Sequence, residues 1–155
     1  MRDRINQAIK SAMKTGDKRR LGTLRLMMAA IKDRDIAAQM DASGQAQSRD
    51  KITDAEILAL LQKMIKQRRD SIASYQQGGR QDLVDQEAAE IAVIEEFLPQ
   101  QMSETEMKDA VAKVVKELGC AGLKDMGRVM AALKARHAGQ MDFAKASAIV
   151  KELLK

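Results

Sequence analysis

Apolar residues recur at three- and four-residue intervals along almost the whole chain, which is the period of an amphipathic α-helix. In the first predicted helix this stripe comprises Ile5, Ala8, Ile9, Ala12 and Met13. The second helix, predicted from about Asp17 to Met40, carries Leu21, Leu24, Met28 and Ile31. A glycine, Gly16, separates the two helices, and a polar segment from Asp41 to Ser48 predicts a loop after the second.

Short motifs predict where the later helices begin and end. Thr53 and Glu56 form a capping box that opens a third helix, and the Gly78-Gly79 pair ends it. A fourth helix stops before Pro99, the only proline. A second capping box, Ser103 to Glu106, opens the first of three further helices. The pattern therefore predicts an all-α fold, with a four-helix domain over residues 1–98 and a three-helix domain over residues 99–155.

Composition narrows the classes of function. Aromatic residues make up 2% of the 155 residues, which disfavours a β-fold and leaves almost nothing to stack on single-stranded bases. A single Cys and a single His exclude a disulfide framework and an ordinary zinc site. No apolar run is long enough to span a membrane, residues 1–14 lack a signal-peptide core, and nucleotide-binding loops and catalytic motifs are absent. We expect a cytoplasmic protein without metal, cofactor or catalytic residues.

The net charge of +5 conceals an uneven distribution. Residues 1–36 carry ten Lys or Arg against four Asp, whereas residues 81–106 carry eight acidic residues and no basic one. Lys18, Arg25 and Lys32 are spaced by seven and so lie along one line of the second helix. Arg19 and Arg20 lie beside its start, and Arg69 of the third helix extends it. This basic face has two interpretations: it contacts a phosphate backbone, or it is an ordinary solvated helix face.

Two charged residues interrupt apolar stripes in the third and fourth helices. Arg68 lies between Met64 and Ile72, and Glu87 lies between Val84 and Ile91. If the two helices form an antiparallel hairpin, Arg68 and Glu87 lie at similar distances from the turn that joins the helices. One interpretation is a structural ion pair that sets the hairpin register. The other is an acid/base or anion-binding site with Glu90 and Asp82 nearby.

The start of the second-last helix is rich in small and basic residues. Gly127 lies between Lys124 and Arg128, next to Met126. A glycine here either lets a partner approach the backbone closely or allows tight packing between helices. With the first interpretation, Lys124 and Arg128 become a second candidate RNA contact.

The chain resembles the YqeY family over essentially its whole length. The resemblance is carried by Leu24 to Ile36, Lys66 to Ile72, Gly79 to Leu83, Glu87 with Glu90, Glu95 to Ser103, and Asp125 to Met130. The tail, from Met126 to Leu153, is also similar to that of the B subunit of glutamine-dependent aminoacyl-tRNA amidotransferase. The resemblance implies a four-helix N-terminal part and a three-helix, UBA-like C-terminal domain. In the amidotransferase this tail helps to hold tRNA, while other domains and subunits perform catalysis.

Three functions follow from these features. The first is a non-catalytic module that binds tRNA or another structured RNA through Lys18, Arg25 and Lys32 and through the tail. The second is a component of a carbon–nitrogen ligase with glutamine as amido donor, active only with partner subunits, as the tail resemblance implies. The third is an adaptor that binds a protein through its UBA-like tail, with the acidic 82–96 belt meeting a basic partner.

Overall fold

The computed structural model describes residues 1–40 and 51–155, and the predicted polar loop after residue 40 lies outside them. Within these residues the chain is all-helical without a β-strand, which confirms the predicted all-α class. The α-helices are α1 (Arg2–Thr15), α2 (Lys18–Gln39), α3 (Asp54–Gln77), α4 (Gln81–Glu95), α5 (Glu104–Leu118), α6 (Met126–Arg136) and α7 (Phe143–Leu153). The chain divides into two compact units, Met1–Leu98 and Pro99–Lys155.

Local sequence signals set the helix ends of the first unit. The backbone of Gly16 takes a left-handed conformation with φ of 73° between α1 and α2, a conformation that favours glycine. The side chain of Asp17 accepts a hydrogen bond from the Arg20 N–H and so caps α2. At the start of α3, Thr53 and Glu56 form both bonds of the predicted capping box. The first unit is thus a bundle whose turns are encoded locally.

Aliphatic side chains from all four helices form the core of the first unit. The fully buried ones include Ile5, Leu24, Met27, Ile31, Ile57, Leu61 and Ile94. Met13, which the periodicity predicted to be buried, is 55% exposed. It lies in the last turn of α1, next to the turn at Gly16, where the helix end leaves little to pack against.

A polar network joins three parts of the first unit that are far apart in sequence. Both Nη atoms of Arg2 donate to the carboxylate of Asp35 at 2.7 Å, and Arg2 Nη2 also donates to the Ile52 carbonyl at 3.1 Å. The Ile52 N–H in turn donates to Asp35 Oδ1 at 2.9 Å. The start of α1, the end of α2 and the segment before α3 are therefore tied together by one carboxylate.

The second unit packs α5, α6 and α7 around its own apolar core. Val111, Val114, Val129, Leu133 and Val150 are almost completely buried. The predicted capping box of Ser103 and Glu106 starts α5, and the side chain of Asp142 caps α7. A 3₁₀ turn, Leu123–Asp125, leads into α6. Because each helix is short, this core depends on all three helices at once.

Candidate nucleic-acid interface

The predicted basic line lies on the solvent face of α2. Lys18, Arg25 and Lys32 are all exposed, and none has an ion-pair partner among the described residues. Successive members are about 10 Å apart along the helix, since each residue adds about 1.5 Å. Arg19 is also exposed and unpaired in this part of the chain. These four cations are held on a rigid rod and are available to an anion.

Two other predicted contact residues are already paired. Arg20 donates to Glu96 Oε2 at 2.6 Å, and Arg69 donates to Glu95 Oε1 at 3.4 Å. Both bonds connect a cation of α2 or α3 to the C-terminal end of α4. Because each positive charge is matched by a carboxylate, Arg20 and Arg69 contribute less to the positive potential of this surface than their count suggests.

The acidic belt of α4 is largely neutralised from within the first unit. Glu95 and Glu96 are paired as described above, and Arg80 donates to both oxygens of Asp82. Asp85 accepts a hydrogen bond from Gln81. Asp82, Glu95 and Glu96 of the belt therefore have cationic partners within the first unit, whereas Asp85 is bonded to a neutral amide.

Arg68 lies within ion-pair distance of the predicted partner, Glu87, and also of Glu90. Its Nε donates to Glu90 Oε2 at 2.9 Å, and Glu87 Oε2 lies 3.9 Å away. Burial and the neighbouring Glu90 raise the pKa of Glu87, and Arg68 opposes them. Glu90 is thus the closer of two acidic partners on α4. Arg68 also bonds to the Met64 carbonyl, which fits a structural role.

The second unit carries a smaller basic patch at the start of α6. Lys124 and Arg128 are both exposed, and Arg128 bonds to Asp125 and to the Leu118 carbonyl, each at 3.3 Å. Gly127 is exposed as well, and a Cβ added there would meet nothing within 4 Å. Tight helix packing therefore does not explain this glycine, and its open backbone remains accessible to a partner.

Over residues 1–40 and 51–155, no three side chains of His, Cys, Asp or Glu come close enough to hold a metal ion. In the same residues, no helix is both long enough and apolar enough to cross a membrane.

Sequence reasoning missed three features of the first unit. One is the Arg2–Asp35 pair, which has no local signature because its members are 33 residues apart. The others are Leu26 and Ile36, which are 51% and 61% exposed on α2. Periodicity identifies the buried stripe of α2. It does not indicate that the remaining apolar residues form a second line on the opposite face of the helix.

Taken together, the helices and their exposed cations define an all-helical, two-unit protein with an unpaired basic line on α2. The chain belongs to the family described as Yqey-like protein, whose family model matches residues 2–154. The family assignment made from the sequence segments is thereby confirmed.

Several curated relatives are named "Altered inheritance of mitochondria protein 41, mitochondrial". The protein from Kluyveromyces lactis is 35% identical over 94 residues, which are 60% of this chain and 45% of the relative. The protein from Lachancea thermotolerans is 33% identical over 116 residues, or 74% and 57% of the two chains. The protein from Pyrenophora tritici-repentis is 30% identical over 139 residues, or 86% and 71%. The chain thus spans about half the length of the first two relatives.

The prediction of a cytoplasmic location is wrong, because these relatives are named as mitochondrial proteins. The prediction rested on a single cysteine and on the absence of an apolar span. Both features are compatible with more than one compartment, so they could not distinguish the cytoplasm from mitochondria.

Proposed function

We propose that this chain is a non-catalytic helical module that binds tRNA or another structured RNA through the basic line of α2. The observation that carries the proposal is the contrast between paired and unpaired cations. Arg20, Arg68 and Arg69 are matched by carboxylates of α4, whereas Lys18, Arg25 and Lys32 have no such partner among the described residues. Unpaired cations on a rigid helix suit a phosphate backbone, which requires charge rather than base-specific geometry.

The aromatic residues favour a structured RNA over a single strand. Phe97 is buried, and Tyr75 and Phe143 are half-buried, so none offers an open platform for base stacking. Recognition of double-helical RNA relies on shape and on backbone contacts, which this surface can supply. We therefore expect tRNA to bind more tightly than an unstructured oligonucleotide of the same length.

Salt dependence tests the α2 line directly. Replacing both Arg25 and Lys32 with Gln removes two phosphate contacts, so the slope of log K against log salt should fall by about 1.4–1.8, at about 0.7–0.9 per contact. The matched control is Arg80→Gln, which removes an exposed arginine already paired with Asp82 and should leave the slope nearly unchanged. An unchanged slope in the Arg25 and Lys32 variant would remove the support for this interface.

Lys124 and Arg128 are proposed as a second RNA contact in the tail. The packing of α5, α6 and α7 into a separate compact unit is consistent with the UBA-like arrangement that the tail resemblance implies. Replacing Lys124 and Arg128 with Gln should weaken tRNA binding, with the smaller loss expected for Arg128 because it is already bonded to Asp125. A tail that takes no part in binding would leave the affinity unchanged.

A role as a component of a glutamine-dependent carbon–nitrogen ligase rests on the tail resemblance. Its test is amidation of mischarged tRNA by amidotransferase subunits, with and without this chain. RNA binding without any effect on amidation would support the binding module alone. The adaptor function, in which the 82–96 belt meets a basic protein, is less well supported because Asp82, Glu90, Glu95 and Glu96 already have cationic partners.

A further inference from the structure

Helix α2 is apolar on two opposite faces. Its inward face buries Leu24, Met27 and Ile31 in the core of the first unit. Its outward face carries Leu26 and Ile36, which remain 51% and 61% exposed. A helix on the surface of a bundle ordinarily presents polar residues to solvent. The fold as described therefore leaves at least half of the Leu26 and Ile36 side chains exposed to solvent.

The outward residues follow the spacing of a coiled-coil seam. We define the α2 seam as Gly22, Leu26, Ala29, Asp33 and Ile36, all of which are exposed. Their intervals alternate between four and three residues, as positions a and d of a heptad do. The seam extends over about 21 Å of helix. This is the pattern by which one helix packs against another, and no other helix of the first unit covers it within the described residues.

Small residues in the seam leave room for a close approach. A Cβ added to Gly22 would meet nothing within 4 Å, so packing inside this chain does not require the glycine, which disfavours a helix interior. Gly22 and Leu26 also line a groove of about 700 Å³ between α2 and α4, where Ala89 and Val93 form part of the opposite wall. The rest of the groove is polar, since Asp17, Arg20 and Glu90 are among the residues that line it.

Charge identifies the occupant of the seam. Lys18, Arg25 and Lys32 occupy the g positions along one flank, and Thr23, Ala30 and Ala37 occupy the e positions on the other. A second copy packed antiparallel would set the two basic rows against each other, and a parallel copy would set the basic row against uncharged residues. A partner helix with acidic residues at its flanking positions matches the row instead.

We propose that the α2 seam is the docking face for an amphipathic helix of another protein, whose apolar stripe is flanked by acidic residues. RNA is a poorer occupant, because phosphate and ribose gain little from Leu26 and Ile36. The inference goes beyond the proposed function: it adds the apolar contacts of Leu26 and Ile36, which RNA binding does not use, and shares only the basic row. Since Arg25 and Lys32 would face either partner, a docked helix and a bound RNA compete.

The test uses a synthetic peptide of about three heptads with Leu at a and d and Glu at e and g. Its binding to the full chain is measured by fluorescence anisotropy. Changing Leu26→Asp and Ile36→Asp together should lower the affinity at least tenfold. The matched control Met13→Asp alters an apolar side chain of α1 that is 55% exposed and lies outside the seam, and it should have no effect.

A charge exchange tests the acidic flank. A peptide with Lys at e and g should bind at least tenfold more weakly than the Glu peptide, and Arg25→Glu with Lys32→Glu should reverse this preference. Equal binding by the Leu26/Ile36 variant, or no binding of the Glu peptide to the unaltered chain, would overturn the proposal. So would a dimer that the Leu26/Ile36 variant abolishes, or a loss of tRNA affinity in that variant as large as the loss caused by altering Arg25 and Lys32.

Retained far-UV circular dichroism in each variant shows that the outcome is not a folding defect. Failure of RNA binding leaves this inference standing, because the peptide assay contains no RNA. Failure of peptide binding likewise leaves the RNA proposal standing. The two proposals are thus separated by their own measurements.

Discussion

Replacing Asp35 with Ala should destabilise the first unit by about 2–3 kcal/mol. The change removes an acceptor of two 2.7 Å bonds from Arg2 and one 2.9 Å bond from the Ile52 N–H. Hydrogen bonds to charged groups contribute about 1.5–3 kcal/mol each when shielded, whereas exposed ion pairs contribute about 0–1 kcal/mol. The side chains of Arg2 and Asp35 are 24% and 13% exposed, so the expected loss lies between these limits.

The measurement is urea unfolding followed by tyrosine fluorescence. The chain contains one Tyr and no Trp, and Tyr75 lies in α3, so the signal reports on the first unit alone. The matched control is Asp33→Ala, which removes an exposed carboxylate two residues away on the same helix and which has no ion-pair partner among the described residues. Both substitutions replace Asp with Ala in the same helix, so both change the helix propensity by the same amount. The difference between their effects on the free energy of unfolding therefore measures the contribution of the Arg2 network.

The pH dependence provides a second test of the same reasoning. The Arg2 guanidinium, by its hydrogen bond, holds the pKa of Asp35 below its usual range, and the Ile52 N–H adds to the effect. A lowered pKa in the folded state means stability that is fully present above the unfolded pKa, about 3.9, and is lost as pH falls through the folded pKa. The difference between the unaltered chain and Asp35→Ala should therefore be largest near neutral pH and shrink at strongly acid pH.

Two results would refute the reasoning about Asp35. If Asp33→Ala and Asp35→Ala lowered the free energy of unfolding equally, the Arg2 network would contribute nothing specific. If the difference between them did not shrink as the pH was lowered, the contribution would not depend on the carboxylate charge. An Arg2→Met variant completes a double-mutant cycle with Asp35→Ala. In the Arg2→Met background, Asp35→Ala should lose most of its additional effect on the free energy of unfolding.

Three further predictions concern Gly22 of α2, the capping box of α5 and the ion pairs of Arg68. Gly22→Ala should raise the free energy of unfolding of the first unit by about 0.4–1 kcal/mol. The added methyl group meets no neighbour in the folded state, and the substitution lowers the conformational entropy of the unfolded chain. A loss of stability would contradict this. Ser103→Ala should lower the protection of α5 amides from hydrogen exchange by about 1 kcal/mol through loss of the capping box, and unchanged protection would argue against it. Glu90→Gln should cost about 1–2 kcal/mol in urea unfolding, because it removes the 2.9 Å bond from Arg68. Glu87→Gln should change stability by less than about 0.5 kcal/mol, because the raised pKa of Glu87 marks a charge that folding disfavours. The reverse order would make Glu87 the more important partner of Arg68.

The features that sequence predicted correctly are encoded within a few residues of one another. The capping boxes at Thr53 and Ser103 are four-residue motifs, and Gly16 is a single-residue signal with a left-handed backbone in the structure. Each signal acts through neighbouring backbone groups, so it requires no knowledge of how the helices pack. The all-helical class and most helix limits follow from such signals together with periodicity.

The features that sequence did not reveal depend on packing between distant segments. Arg20 is paired because Glu96, 76 residues away, lies within reach of it. Arg68 approaches Glu90 more closely than Glu87, a difference that depends on how α3 and α4 pack and that no local pattern specifies. For this reason the sequence could count the cations near α2, but only the structure could separate the unpaired Lys18 and Arg25 from the paired Arg20.

This separation changes how the charge of the first unit is understood. Carboxylates at α4 pair with Arg20 of α2 and Arg68 of α3, and partial burial strengthens the Arg68–Glu90 pair. The cations that remain therefore lie on the outer face of α2, in a line that borders Leu26 and Ile36. Since screening by salt weakens contacts of the exposed line but leaves the apolar seam nearly unaffected, raising the salt concentration should release RNA before it releases a docked helix.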